Sequence, residues 1–88
     1  APRLGLVWKV VEDDDLPGEA MRIARQLAAG PTAGLAAIKR AIQAAATTSL
    51  DAALDTERDL NREMGFGCDY AEGVAAFLEK RPARFTGQ

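Results

Sequence analysis

The sequence predicts an all-α fold: about four short helices preceded by a short strand stub. Apolar residues recur at three- and four-residue spacing over most of the chain, as in Leu35, Ile38 and Ile42, or Tyr70, Val74, Phe77 and Leu78. Glycine and proline sit mostly between these runs, at Gly30-Pro31, Gly65-Phe66-Gly67 and Pro82. Only Leu4–Val11 reads differently. It is rich in Leu, Val and Trp with Lys9 its one charge, which suits a short strand buried on most of its surface.

Trp8 is expected to pack under the helices. A lone strand cannot satisfy its own backbone groups, and the chain offers no convincing second strand. The acid run Glu12-Asp13-Asp14-Asp15 lacks the glycine and spaced ligands of a calcium loop. It reads as a solvated turn whose last Asp caps the first helix, expected over 16–29. Pro17 is tolerated in the first turn, where its missing N–H costs nothing. Gly30 is expected in the left-handed conformation that ends helices, with Pro31 blocking continuation. The second helix is expected over 33–47, capped by Thr32, with a narrow seam of Leu35, Ile38, Ile42 and Ala45. Lys39 and Arg40 beside that seam read as a solvated face or local ion pairs, with an anion patch as the alternative. The third helix is expected over 50–64, capped by Thr48 or Ser49, with Leu50/Leu54 and Leu60/Met64 as i,i+4 pairs. Glu57 falls near the apolar face. It is expected to pair with a cation of a neighbouring helix; a catalytic acid is the sharper reading, but one carboxylate without partners is not a site. Phe66 is expected in the core, with covering an apolar ligand as the alternative.

The last stretch, Asp69–Gln88, organises the rest. Asp69 and Glu72 have the spacing of a capping box. Tyr70, Val74, Phe77 and Leu78 form one stripe, Lys80 and Arg81 fall in the last turn, and Pro82 stops the helix. With Arg84 they make a cationic cluster: either a helix cap or a site for phosphate or carboxylate.

Eighty-eight residues allow one small domain. A net charge of −2 argues against a nucleic-acid partner. With one cysteine, Cys68, and no histidine, the chain cannot build a thiolate–imidazole pair, a Ser–His–Asp triad, a Cys/His zinc site or an intrachain disulfide. No metal site and no catalytic residue is therefore assigned. No apolar run approaches the roughly 20 residues of a membrane span, and a lone cysteine suits a cytoplasmic location. The opening APRLGLVW has no initiator Met and reads as cut from something longer.

The run EGVAAFLEKRPARFTG, residues 72–87, resembles the C-terminal signature of the enoyl-CoA hydratase/isomerase (crotonase) superfamily. Within it, the sequence is most similar to the isomerases of phenylacetate degradation, which act on ring-epoxidised phenylacetyl-CoA. GLVWKVV at 5–11 resembles the strand closing the family's spiral core, and MRIARQLAAGPTAGLAAIKRAI at 21–42 the following helix pair. The resemblance covers nearly all of this chain but only the last third of a typical member. Gly67 and Cys68 depart from the polar residues usual before Asp69-Tyr70, so no role is carried to them.

The resemblance implies that residues 1–15 end the spiral core and residues 16–88 form the C-terminal helical domain. In the family, an oxyanion hole of two N–H groups and acidic residues act on acyl-CoA thioesters from the spiral domain. The helical domain builds the trimer or dimer of trimers and lids the acyl pocket. Lys80 matches the lysine that reaches the 3′-phosphate of CoA, and Phe77 an aromatic lining the acyl pocket, with plain core packing the alternative for Phe77. Coenzyme A enters as part of the thioester substrate, and no separate cofactor is expected. The implied partners are the chain's own spiral domain, further copies of itself and acyl-CoA. The alternatives are a free-standing helical interaction module and, against the missing chemistry, a complete small enzyme.

Overall fold

The computed structural model describes residues 2–88 as four helices: α1 (Leu16–Ala28), α2 (Thr32–Ala45), α3 (Leu50–Gly65) and α4 (Cys68–Glu79). Short 3₁₀ turns occupy Pro2–Leu4 and Asp13–Asp15. The all-α architecture and the helix count agree with the sequence reading.

The strand expected over Leu4–Val11 is not formed; among the described residues there is no strand. Gly5 turns the chain at φ +72°, and the segment from Leu6 onward runs without a ladder partner. A strand exists only as one side of a ladder, and no second side is present. Trp8 is accordingly 85% exposed rather than packed under the helices. The segment is tied to α1 by Lys9 Nζ, 3.3 Å from Glu19 Oε1. Glu19 also receives Arg22 at 2.6 Å, and Arg22 first, then Lys9, hold its carboxyl at about 2.

The helix ends mix expected and unexpected chemistry. Ser49 caps α3 as expected, its Oγ accepting from Ala52 N–H at 3.2 Å. Asp15 makes no side-chain cap bond, because the 3₁₀ turn already continues into α1. Gly30 is not left-handed: Ala29 ends α1 in the right-handed region, and Gly30 N–H donates to Leu27 C=O at 3.1 Å. Thr32 opens α2 instead of capping it, with Pro31 at the N-cap. At the other end of α2, the Thr48 hydroxyl donates to Ala44 C=O at 2.8 Å.

α2 and α3 form the principal helix pair, antiparallel about the loop 46–49. The expected seam of Leu35, Ile38, Ile42 and Ala45 lines one side of the groove between them, with Leu60 and Met64 opposite. Alanine permits the close approach, and Ala37 is buried there. α4 meets α3 near the Phe66-Gly67 turn. Phe66 points out at 86% exposure, contrary to the expected core position, because no element lies over that turn to receive it.

The helices do not close over one another. Among the described residues only Ala37 and Ala76 are buried apolar residues, while Leu16, Leu50, Tyr70 and Leu78 remain exposed. The molecule is a slab of 42 × 39 × 18 Å with a radius of gyration of 16.3 Å. A compact domain of this length would have a radius of gyration of about 12 Å.

Candidate functional site

α4 and the residues that follow it carry the candidate site. The helix begins at Cys68, with Gly67 in extended conformation at the N-cap. Its apolar stripe, Tyr70, Val74, Phe77 and Leu78, faces a groove of about 480 Å³ that continues onto Pro31 at the α2 N-cap and Gly34 of α2. Phe77 is 83% exposed at this groove, so it is not a core residue of this chain.

The expected capping box does not form. Asp69 and Glu72 turn instead to the returning tail. Asp69 Oδ1 accepts from Thr86 N–H at 2.7 Å and Oδ2 from Gly87 N–H at 2.8 Å. In return, the Asp69 N–H donates to Gln88 C=O at 2.7 Å, satisfying one of the donors that a helix start leaves free. Asp69 is 7% exposed, the one buried charged residue among those described. Glu72 accepts from both terminal nitrogens of Arg81, at 2.8 and 2.9 Å, and from Arg84 N–H at 2.7 Å. Backbone donors of the tail thus take the two carboxylates that would otherwise have capped the helix.

The cationic cluster divides. Arg81 is taken up by Glu72 and by Glu79, whose Oε2 lies 2.5 Å from its Nε. Arg84 contributes its backbone N–H to Glu72. Lys80 forms no ion pair among the described residues. It stands just beyond α4 at φ 55°, ψ 44°, the one non-glycine residue described with positive φ. Arg81 N–H donates to Ala76 C=O at 3.0 Å and Lys80 N–H to Phe77 C=O at 3.3 Å, the double closure of a Schellman motif. The helix therefore stops two residues earlier than the proline alone requires. Phe77 and Lys80 lie one turn apart at this end.

Glu57 lies exposed along the α2–α3 groove without the cationic partner expected for it among the described residues. Lys39 and Arg40 are exposed and likewise unpaired, a solvated face. Glu72 makes a pH prediction. Arg81, then the Arg84 N–H, hold its carboxyl at about 2, below its ordinary 4.5. A depressed folded-state value means that its contribution is complete above about pH 4.5 and lost as pH falls through about 2. In an NMR titration the Arg84 amide shift should move with a midpoint near 2. A midpoint near 4.5 would show that the Glu72–Arg81 pair does not persist in solution.

The comparisons with known proteins decide the family. The enoyl-CoA hydratase/isomerase family model matches residues 1–88. The chain belongs to the enoyl-CoA hydratase/isomerase family. It is 51% identical over 84 residues to the 1,2-epoxyphenylacetyl-CoA isomerase of Escherichia coli, covering 96% of this chain and 32% of that protein. Among solved structures, an enoyl-CoA hydratase subunit from Geobacillus kaustophilus superposes with a TM-score of 0.91 at 41% identity, over 100% of this chain and 34% of that one. An enoyl-CoA hydratase from Polaromonas sp. JS666 gives 0.91 at 39% identity, over 97% and 33%. The chain spans about a third of the length of the curated relatives it matches. No helix among the described residues is long and apolar enough to cross a membrane.

Proposed function

We propose that these residues form the C-terminal helical part of a cytoplasmic acyl-CoA hydratase or isomerase. In this reading the spiral domain elsewhere in the protein carries the catalytic groups. The helices contribute assembly of a trimer or dimer of trimers, a lid over the acyl pocket, and a contact to CoA. Lys80 holds the 3′-phosphate and Phe77 lines the acyl pocket. The similarity to the 1,2-epoxyphenylacetyl-CoA isomerase supports a ring-epoxidised phenylacetyl thioester as substrate.

The conformation of Lys80 carries the reading. A left-handed backbone costs a residue with a Cβ roughly 1 kcal/mol or more, and glycine almost nothing. A lysine at the position where glycine would be more stable, without an ion pair among the described residues and one turn from an exposed Phe77, is the kind of local strain that marks a functional position. A flexible ammonium also suits phosphate.

The strain also supplies the test. In the full-length protein, Lys80→Gly should raise stability by about 1 kcal/mol. It should raise KM for acyl-CoA on the order of tenfold, the magnitude of one charged hydrogen bond, with kcat nearly intact. The KM effect should vanish with dephospho-CoA esters, which lack the 3′-phosphate. Equal changes with both ester types would reduce Lys80 to a helix-terminal residue and remove the CoA contact from the proposal.

A further inference from the structure

The five residues Arg84–Gln88 lie across α4 as a strap, and two glycines make room for it. The Phe85 ring lies over Gly73, where an added Cβ would meet it at an ordinary contact distance of 3.6 Å. A Cβ at Gly67 would stand 3.2 Å from Gln88 C=O. Gly87 adopts φ +82°, and a Cβ there would stand 2.5 Å from Thr32 Oγ1 at the start of α2. The strap therefore spans from α4 to α2. It lies along the groove, and Phe85 and Gln88 form part of the groove wall. Two carboxylates on α4 fasten it: Glu72 at Arg84, and the buried Asp69 at Thr86 and Gly87, on either side of Phe85.

We infer that Asp69 is a positioning residue that acts through Phe85: by fixing the strap, it sets one wall of the groove and so the shape of acyl group that the groove accepts. This rests on the groove being part of the acyl pocket, as proposed above. The chemistry of the attachment favours rigidity. Each carboxylate oxygen takes one backbone donor, both at short distance, and Asp69 itself is buried. Neither Phe85 nor Thr86 has a regular element of its own to hold it, so the wall depends on these bonds.

Asp69→Asn in the full-length protein tests this, because it keeps the shape while turning an NH₂ group toward one of the two N–H donors. Hydrogen exchange at the Thr86 and Gly87 amides should accelerate at least tenfold without ligand. KM for the acyl-CoA should rise on the order of tenfold, more than kcat falls. Phe85→Ala should reproduce the KM change, and the double variant should be no worse than either single one, since both remove the same wall. Gly87→Ala, which strains the φ +82° backbone and drives the strap off Thr32 while leaving the Asp69 carboxylate itself in place, provides a second route should Asp69→Asn fail to fold. Unchanged exchange in the folded variants would overturn the strap. Faster exchange with unchanged KM, or additive KM effects of Asp69→Asn and Phe85→Ala, would overturn its role in the groove. Neither result would bear on the CoA contact, which stands or falls with Lys80 and the dephospho-CoA comparison.

Discussion

The 88-residue chain on its own is expected to self-associate at micromolar concentration. Its accessible surface is 7409 Å². A compact domain of 9.4 kDa would expose roughly 5,000 Å². The difference, about 2,400 Å² on one chain, is well above the roughly 800 Å² per partner that a standard interface buries. Much of what is exposed is apolar: the Tyr70–Leu78 stripe of α4, Ile38 and Ile42 on α2, and the Leu6–Val10 segment with its unpaired backbone. Patches beyond a few hundred Å² are unusual on soluble monomers, and a core that among the described residues comes down to two alanines leaves little stability to offset their exposure. Copies can cover one another through helix faces or by pairing the 6–11 backbone. Sedimentation velocity should show species larger than a monomer, with binding of a hydrophobic dye. A compact, cooperatively unfolding monomer that binds no dye would remove the premise that these faces await the rest of a subunit. It would favour a free-standing interaction module instead.

Helix existence was legible in the sequence because it depends on local spacing. The runs around Ile23, Ile38, Leu54 and Val74 each specify a helix whatever they pack against, and all four helices lie within two residues of their expected ends. The α2 seam found its partner in α3, but the other expectations that required a neighbour failed. Trp8 and Phe66 were expected inside because large aromatics are costly in water, yet burial needs a second surface, and this chain does not supply one. The stub at 4–11 has strand composition, but a ladder cannot form from one side. Glu57 failed in the same way: among the described residues no cation of a neighbouring helix pairs with it, although α2 carries Lys39 and Arg40.

The site was legible in its parts and not in its connections. Lys80 and Phe77 were singled out, but the left-handed turn that separates Lys80 from Arg81 was not, since a lysine gives no signal for positive φ. Asp69 and Glu72 match a capping box by spacing, and the local rule was overridden by donors 12 to 18 residues away. No periodicity links residues across the turn at Pro82. The one available signal was indirect: Gly67 and Gly87 are the two positions where a Cβ would collide with the returning tail or with what the tail lies on.

The same chain, assayed alone, is expected to leave enoyl-CoA thioesters at their uncatalysed rate. Hydration or isomerisation of a thioester needs donors converging on the carbonyl oxygen and an acid or base within about 3 Å of the proton it moves. The carboxylates best placed here are already committed. Glu72 binds Arg81 and the Arg84 amide, Glu19 binds Arg22 and Lys9, and both are held ionised to about pH 2, far too acidic to exchange protons near neutrality. Asp69 spends both oxygens on the strap. Histidine, the usual group for neutral pH, does not occur in the chain. Glu57 stands alone on the α2–α3 groove, with no cation paired to it among the described residues. The measurement is turnover of a short enoyl-CoA, followed through successive purification steps. Activity that co-purifies with the chain and is lost in Glu57→Gln would place an acid–base group in the helical part. That result would overturn the assignment of the chemistry to the remaining two-thirds of the fold that the relatives possess.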